Sequence, residues 1–247
     1  AQLARVKGAR NVFNIRASYA DEAEKIVRHL STLGITRIGL VYQNNTFGQD
    51  VQAGVQEAMA ALKIAPVVTT TVKDDSSDAV AAAQKIAAIA CDAVIVGLAG
   101  QPALNFVKAF RPLHRGVSVY ALSVLGTSAN IKALGADATG LAITQVVPLP
   151  TNLVVPVVRD FQQAWKALGA TAEPSHLALE GYINARVFIE TLQRAGKEPT
   201  RAAFIDATWN LKKINLGGFQ ISANSTERSA SSFVELTMIG RDGRFFR

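Results

Sequence analysis

Two rhythms of apolar residues alternate along the chain. Short continuous runs, partly β-branched, read as strands buried on both faces, and longer stretches with a helical period read as amphipathic helices. Ile38, Leu40, Val41 and Tyr42 form one such run. It breaks at the polar turn Gln43-Asn44-Asn45-Thr46, after which Gly48 precedes a helical face of Val51, Val55, Met59 and Leu62. Further runs at 67–72, 93–97, 117–122 and 141–147 predict strands, and the first of these (VVTTTV) is almost wholly β-branched. Val12 to Arg16 reads as a shorter strand. Ser18-Tyr19-Ala20-Asp21 has the form of a capping box, and it opens a helix with Ala23, Ile26, Val27, Leu30 and Leu33 on one face before Gly34. Ser77 or Asp78 is placed to cap the helix that runs through Ile89. Pro102 sits where a first helical turn tolerates it. Strands separated by helices at spacings of roughly 25 to 30 residues describe right-handed crossovers. The expected class is α/β, with a parallel doubly wound (Rossmann-like) sheet.

The pattern changes after Pro148-Leu149-Pro150. Val157, Phe161, Trp165 and Leu168 share a helical face, and 177–192 is apolar nearly all round, as a helix covered on several sides would be. A third helix is expected over 201–211. Phe233 to Ile239 and Arg244 to Phe246 read as a hairpin around Gly240-Arg241-Asp242-Gly243, while Gly217-Gly218 and Asn224 to Ser232 read as flexible connectors.

The 247 residues provide enough apolar content for a substantial core, and no apolar run reaches the roughly 20 residues of a membrane helix. The net charge of +7 is carried by scattered lysines and arginines, with only Lys212-Lys213 adjacent, so a nucleic-acid stripe is not expected. Cys91 is the only cysteine; at the edge of an apolar run it reads as a buried structural thiol.

The motifs of catalysis are missing. There is no P-loop, no Gly-x-Gly-x-x-Gly after a strand and no Gly-x-Ser-x-Gly elbow. His29, His114 and His176 are not spaced as metal ligands, and Asp74-Asp75 reads as a solvated loop. No cofactor, metal or catalytic residue is expected. What remains is a row of strand-end loops with neutral polar and aromatic groups: Tyr42, Asn45, Phe47, Ala99, Gln101, Ser123 and Leu125, with Tyr19 nearby. Open α/β sheets bind ligands at the carboxyl ends of their strands, and such groups suit a small molecule bound without bond breaking.

FNIRASYADE from Phe13, RIGLVYQNNTFGQD from Arg37, DAVIVG from Asp92, EGYINARVFIETLQRAG from Glu180 and FVELTMIGRDGRFF from Phe233 resemble bacterial periplasmic substrate-binding proteins. The resemblance is to type I binding proteins of the leucine/isoleucine/valine (branched-chain amino acid) branch. It implies two α/β lobes closing on a ligand, a periplasmic location after removal of a signal peptide, and an ABC transporter permease as partner. It also implies that 13–144 with 231–247 form lobe 2, that 145–230 form the latter, mainly helical part of lobe 1, and that 1–12 end a missing N-terminal segment. Lobe 1 would be incomplete, and its uncovered helices are expected to self-associate. By the resemblance Phe47 stands where relatives place an aromatic beside the ligand, and Ala99 and Leu125 where they carry a second aromatic and the acid that pairs with an ammonium; Gln101 and Ser123, among the strand-end polar groups, are expected to hydrogen-bond the ligand. An amino acid or another carboxylic acid is the expected ligand. A cytosolic ligand-sensing regulator on the same fold is the alternative reading.

Overall fold

The computed structural model describes residues 11–222 and 229–247. The chain divides into two compact units, Tyr19–Gln145 with Val234–Arg247, and Ala1–Ser18 with Val146–Phe233.

The larger unit begins with α1 (Tyr19–Thr32) and β1 (Ile38–Gln43), then α2 (Thr46–Ala61), β2 (Val68–Val72), α3 (Ala79–Ala87), β3 (Ala93–Gly97) and α4 (Gly100–Leu113). β4 (Ser118–Ala121), α5 (Ser128–Leu134) and β5 (Ala142–Gln145) follow. One sheet is formed in the order β2-β1-β3-β4-β5, all parallel. It is extended by the antiparallel strands of the C-terminal hairpin, for which we reserve the labels β8 (Glu235–Ile239) and β9 (Phe245–Phe246). Alternate residues face opposite layers, as the pleat requires. Ile38, Leu40, Ala93, Ile95, Tyr120 and Ala142 pack against α1 and α2. Val41, Val94, Val96, Val119, Ala121 and Ile143 pack against α3 and α4. The run at 93–97 reads as uninterrupted hydrophobicity because both faces of β3 are covered. α1 and α2 lie close together because Gly54 has no side chain: a Cβ there would come within 2.8 Å of the Ala20 Cα.

The smaller unit holds α6 (Pro156–Ala167), α7 (His176–Arg194) and α8 (Arg201–Trp209), with a two-stranded hairpin of β6 (Ile214–Asn215) and β7 (Gln220–Ile221). Its core gathers Val157, Phe161, Leu179, Ile183, Val187, Leu211 and Phe219, with Phe13 and Ile15 packed on it.

Several expectations need correction. Val12 to Arg16 is not a strand; Asn14 makes a single bridge to Ser229, because the segment is held by packing of Phe13 and Ile15 rather than by a ladder. The same packing puts 13–18 with the smaller unit, and the second boundary lies after Phe233 rather than before Ser231. Asp78 occupies the N-cap of α3 without capping it, since its Oδ1 accepts from the Lys73 N–H at 2.9 Å instead. Gly217-Gly218 is not a loose connector but the turn between β6 and β7, fixed by the Gly218 N–H donating to Asn215 Oδ1 at 2.6 Å. Of the second expected connector, 224–228 lie outside the described residues, while Ala230 is buried. α7 is not buried all round: Leu179, Ile183, Val187 and Thr191 face the core, and Leu177, Phe188, Ile189 and Leu192 are exposed.

His176, at the first turn of α7, is buried, and burial pushes its imidazole down to about 4 from an ordinary 6.5. Between those values the unfolded chain takes up a proton that the folded chain refuses. Stability therefore falls as pH drops from about 6.5 to about 4 and levels off below, by a loss on the order of 3 kcal/mol. Urea midpoints measured across that window should show the slope in the native chain and lose it in His176→Gln.

Candidate functional site

The parallel strands end on one edge of the larger unit. β1 is flanked by β2 on one side and β3 on the other, so the chain leaves β1 in one direction and later returns beside it in the other. Such a reversal is the place at which open α/β sheets admit ligands.

One side chain spans that edge. Gln43 ends β1; its Oε1 accepts from the Ala99 N–H at 3.0 Å and its Nε2 donates to Asp74 Oδ1 at 2.6 Å. Three strand ends are tied through a single amide. Asn45 joins the same network: its Nδ2 donates to Asp74 Oδ1 at 2.6 Å, and its Oδ1 caps α2 by accepting from the Gly48 N–H at 3.0 Å. The Asn45 side chain is therefore committed to holding the loop. Asp75, beside this network, is held below the usual carboxylate range by the N–H and hydroxyl of Ser77.

An aromatic pair stands next to that edge. Phe47, in the first turn of α2, meets Tyr19, the first residue of α1, edge to face, with centroids 4.9 Å apart and planes at 78°. Both rings, with Tyr42, rest on the core beneath α1 and α2 and stay partly exposed. Such a pair offers both a ring face and a ring edge to an apolar group.

Farther along the edge lies Glu22, a fully buried carboxylate in the first turns of α1. It accepts from the Ser123 N–H at 2.8 Å, the Ser123 hydroxyl at 3.0 Å and the Thr144 hydroxyl at 2.5 Å. These bonds fasten α1 to the loop after β4 and to the end of β5. Charged acceptors make strong hydrogen bonds, and their burial makes each donor depend on them.

Of the residues expected at the site, Tyr19, Tyr42, Asn45, Phe47 and Ala99 lie at or beside this strand-end edge. Ser123 is bound to Glu22. Gln101 is exposed, and its amide is turned along α4 to Asn105 Oδ1 at 2.7 Å. Leu125 is fully buried in the core under α3 and α4, because the short 3-10 turn 123–125 directs it inward. Asp74, expected in a solvated loop, is exposed and also accepts from Gln43 and Asn45, whereas Glu22 has no place among the expected site residues. Glu22 carried a legible signal: it lies on the i, i+4 line with Ile26 and Leu30, a charge in the middle of an apolar stripe.

Among the described residues no group of histidine, cysteine, aspartate and glutamate could hold a metal ion, and no helix is long and apolar enough to cross a membrane.

The sequence profile described as "Periplasmic binding protein" matches residues 1–243. The chain belongs to the periplasmic binding protein family. A substrate-binding periplasmic protein from Ralstonia solanacearum is 30% identical with a TM-score of 0.84, over 95% of this chain and 67% of its own. A possible leucine/isoleucine/valine-binding protein from Rhodopirellula baltica SH 1 is 26% identical with a TM-score of 0.90, over 100% of this chain and 69% of its own. An extracellular ligand-binding receptor from Verminephrobacter eiseniae ef01-2 is 29% identical with a TM-score of 0.86, over 100% and 70%. No curated protein matches the chain. For this periplasmic binding protein, then, the mostly parallel sheet and its strand-end edge are those of the type I fold.

Proposed function

We propose that this chain is the solute receptor of an ABC importer, acting outside the cytoplasmic membrane and binding a small carboxylic acid or amino acid without chemical change. The ligand site is assigned to the strand-end edge of the larger unit. The observation that supports the reading is the strand-order reversal at β1 and β3, with Gln43 tying the strand ends and the Tyr19–Phe47 ring pair beside them. The groups there are aromatic rings and amides, which hold and orient a ligand but do not activate it. A leucine/isoleucine/valine-binding name on one relative points toward aliphatic amino acids.

The larger unit's edge favours a ligand end without an ammonium group. Glu22 is fully buried in its bonds to Ser123 and Thr144, and Ala99 and Leu125 bring no carboxylate to the edge. The aliphatic or aromatic part of an organic acid would rest on Phe47. Calorimetric titration with leucine, isocaproate and benzoate tests this. An organic acid is expected to bind more tightly than leucine, and Phe47→Ala is expected to weaken it about tenfold, the usual cost of losing an aromatic contact at a binding centre. Tight leucine binding would refute the preference for an acid without an ammonium group and leave the amino-acid arm of the proposal standing. Binding indifferent to Phe47 would refute the site.

A further inference from the structure

Gln43 fits its place by polarity as well as by reach. Its Oε1 meets the Ala99 N–H at 3.0 Å, a group that can only donate, and its Nε2 meets the carboxylate oxygen Asp74 Oδ1 at 2.6 Å. Those partners allow one orientation of the amide and no other. Glutamate in its place would set a second carboxylate against Asp74, lysine could not accept from Ala99, and methionine could do neither. Glutamine, at the end of the strand flanked by β2 and β3, serves both neighbouring loops at once.

The loop after β3 depends on this tie. Among the described residues, no other side chain hydrogen-bonds the backbone of 98–101. Leu98 anchors one end of the loop in the core. Ala99, at the N-cap of α4, gives that helix no side-chain cap, and Gly100 follows with φ +56. The Gln101 amide turns along its own helix to Asn105. The loop after β1 is held by Asn45, which caps α2 and donates to the same Asp74 Oδ1. An unbroken series of hydrogen bonds therefore runs from the Ala99 N–H through Gln43, Asp74 and Asn45 to the Gly48 N–H, next to Phe47.

We propose that Gln43 is a positioning residue of the ligand site, holding the 98–101 loop in register with the loop that carries Phe47. The inference rests on the reading of this edge as the ligand site. Ordering a loose loop on binding subtracts from affinity, and a loop fixed beforehand spares the ligand that loss. Asp74, although exposed, then acts on the ligand through Gln43 and Asn45 rather than as its counter-charge.

Gln43→Met keeps the length of the side chain and removes both ties. Calorimetry with benzoate, paired with amide-resolved NMR, tests the proposal. The dissociation constant should rise about tenfold, the scale of one loop-ordering cost. The urea midpoint should stay close to the native one, because Gln43 is half-buried at a strand end. Benzoate-induced shifts at 98–101 should fade while those at 45–48 persist. Asp74→Ala cuts the same series at its next member, so the two losses in affinity should not add, and the double variant should lose less than their product. Native affinity in Gln43→Met, whatever its urea midpoint, would overturn the proposal and leave the ligand site standing. Losses that add in full, the sign of a direct ligand contact, would do the same. Benzoate shifts absent from 43–48 and 98–101 in the native chain would overturn the reading of the site, and this inference with it.

Discussion

Glu22→Ala is expected to lower the unfolding free energy by about 3 kcal/mol or more, the cost of stranding buried donors together with a side-chain void. The substitution removes the shared acceptor of the Ser123 N–H, the Ser123 hydroxyl and the Thr144 hydroxyl. The hydroxyls can rotate, and Thr144 already has a second acceptor in the Ala121 carbonyl at 3.3 Å. The Ser123 N–H cannot turn away, so its loss dominates. Glu22→Gln keeps the volume and one acceptor oxygen, and should cost about half as much. Urea unfolding of the two variants checks this. An alanine variant within about 1 kcal/mol of the native chain would show that Glu22 does not fasten α1 to the sheet.

Gly48→Ala is expected to be the most damaging single methyl in the larger unit. A Cβ at that position would stand 1.9 Å from the Gln43 carbonyl oxygen and 2.6 Å from the Gln43 nitrogen. Both obstacles are backbone atoms, so no side chain can swing aside to make room. Relief requires the loop between β1 and α2 to move. That motion would break the Asn45 cap and carry Phe47 away from Tyr19. The expected loss is about 3 kcal/mol or more of stability, with weakened ligand binding even in molecules that remain folded. A variant with native unfolding behaviour and native affinity would mean that the close approach of Gly48 to the end of β1 is not needed.

The sheet was legible in the sequence because its strands are buried on both faces. AVIVG at 93–97 can read as little else, and helices between such runs leave only parallel crossovers. The order β2-β1-β3, which places the reversal at the end of β1, is a tertiary fact that no local pattern carries. VFNIR misled for a related reason: alternation at Phe13 and Ile15 signals a buried face but not whether a ladder partner exists. At the site, residue type suggested roles that hydrogen bonding reassigned. Asn45 proved to be a cap and Gln43 a cross-link, while Leu125 turned into the core. Glu22 could have been found, since a carboxylate at the i−4 position of a buried isoleucine needs an explanation. The role of Asp74 could not be read from its solvated loop, because its partners lie 29 and 31 residues away.

The account rests on a single edge of the sheet holding its ligand intact. An amide-resolved NMR titration of the chain with benzoate and isocaproate tests that directly, because it detects even weak binding and reports where it occurs. Shifts concentrated in 43–48, 98–101 and 122–126, with the acid recovered unchanged, are the predicted result. Shifts gathered instead around Phe13, Phe204 and Trp209, or recovery of an altered acid, would contradict it.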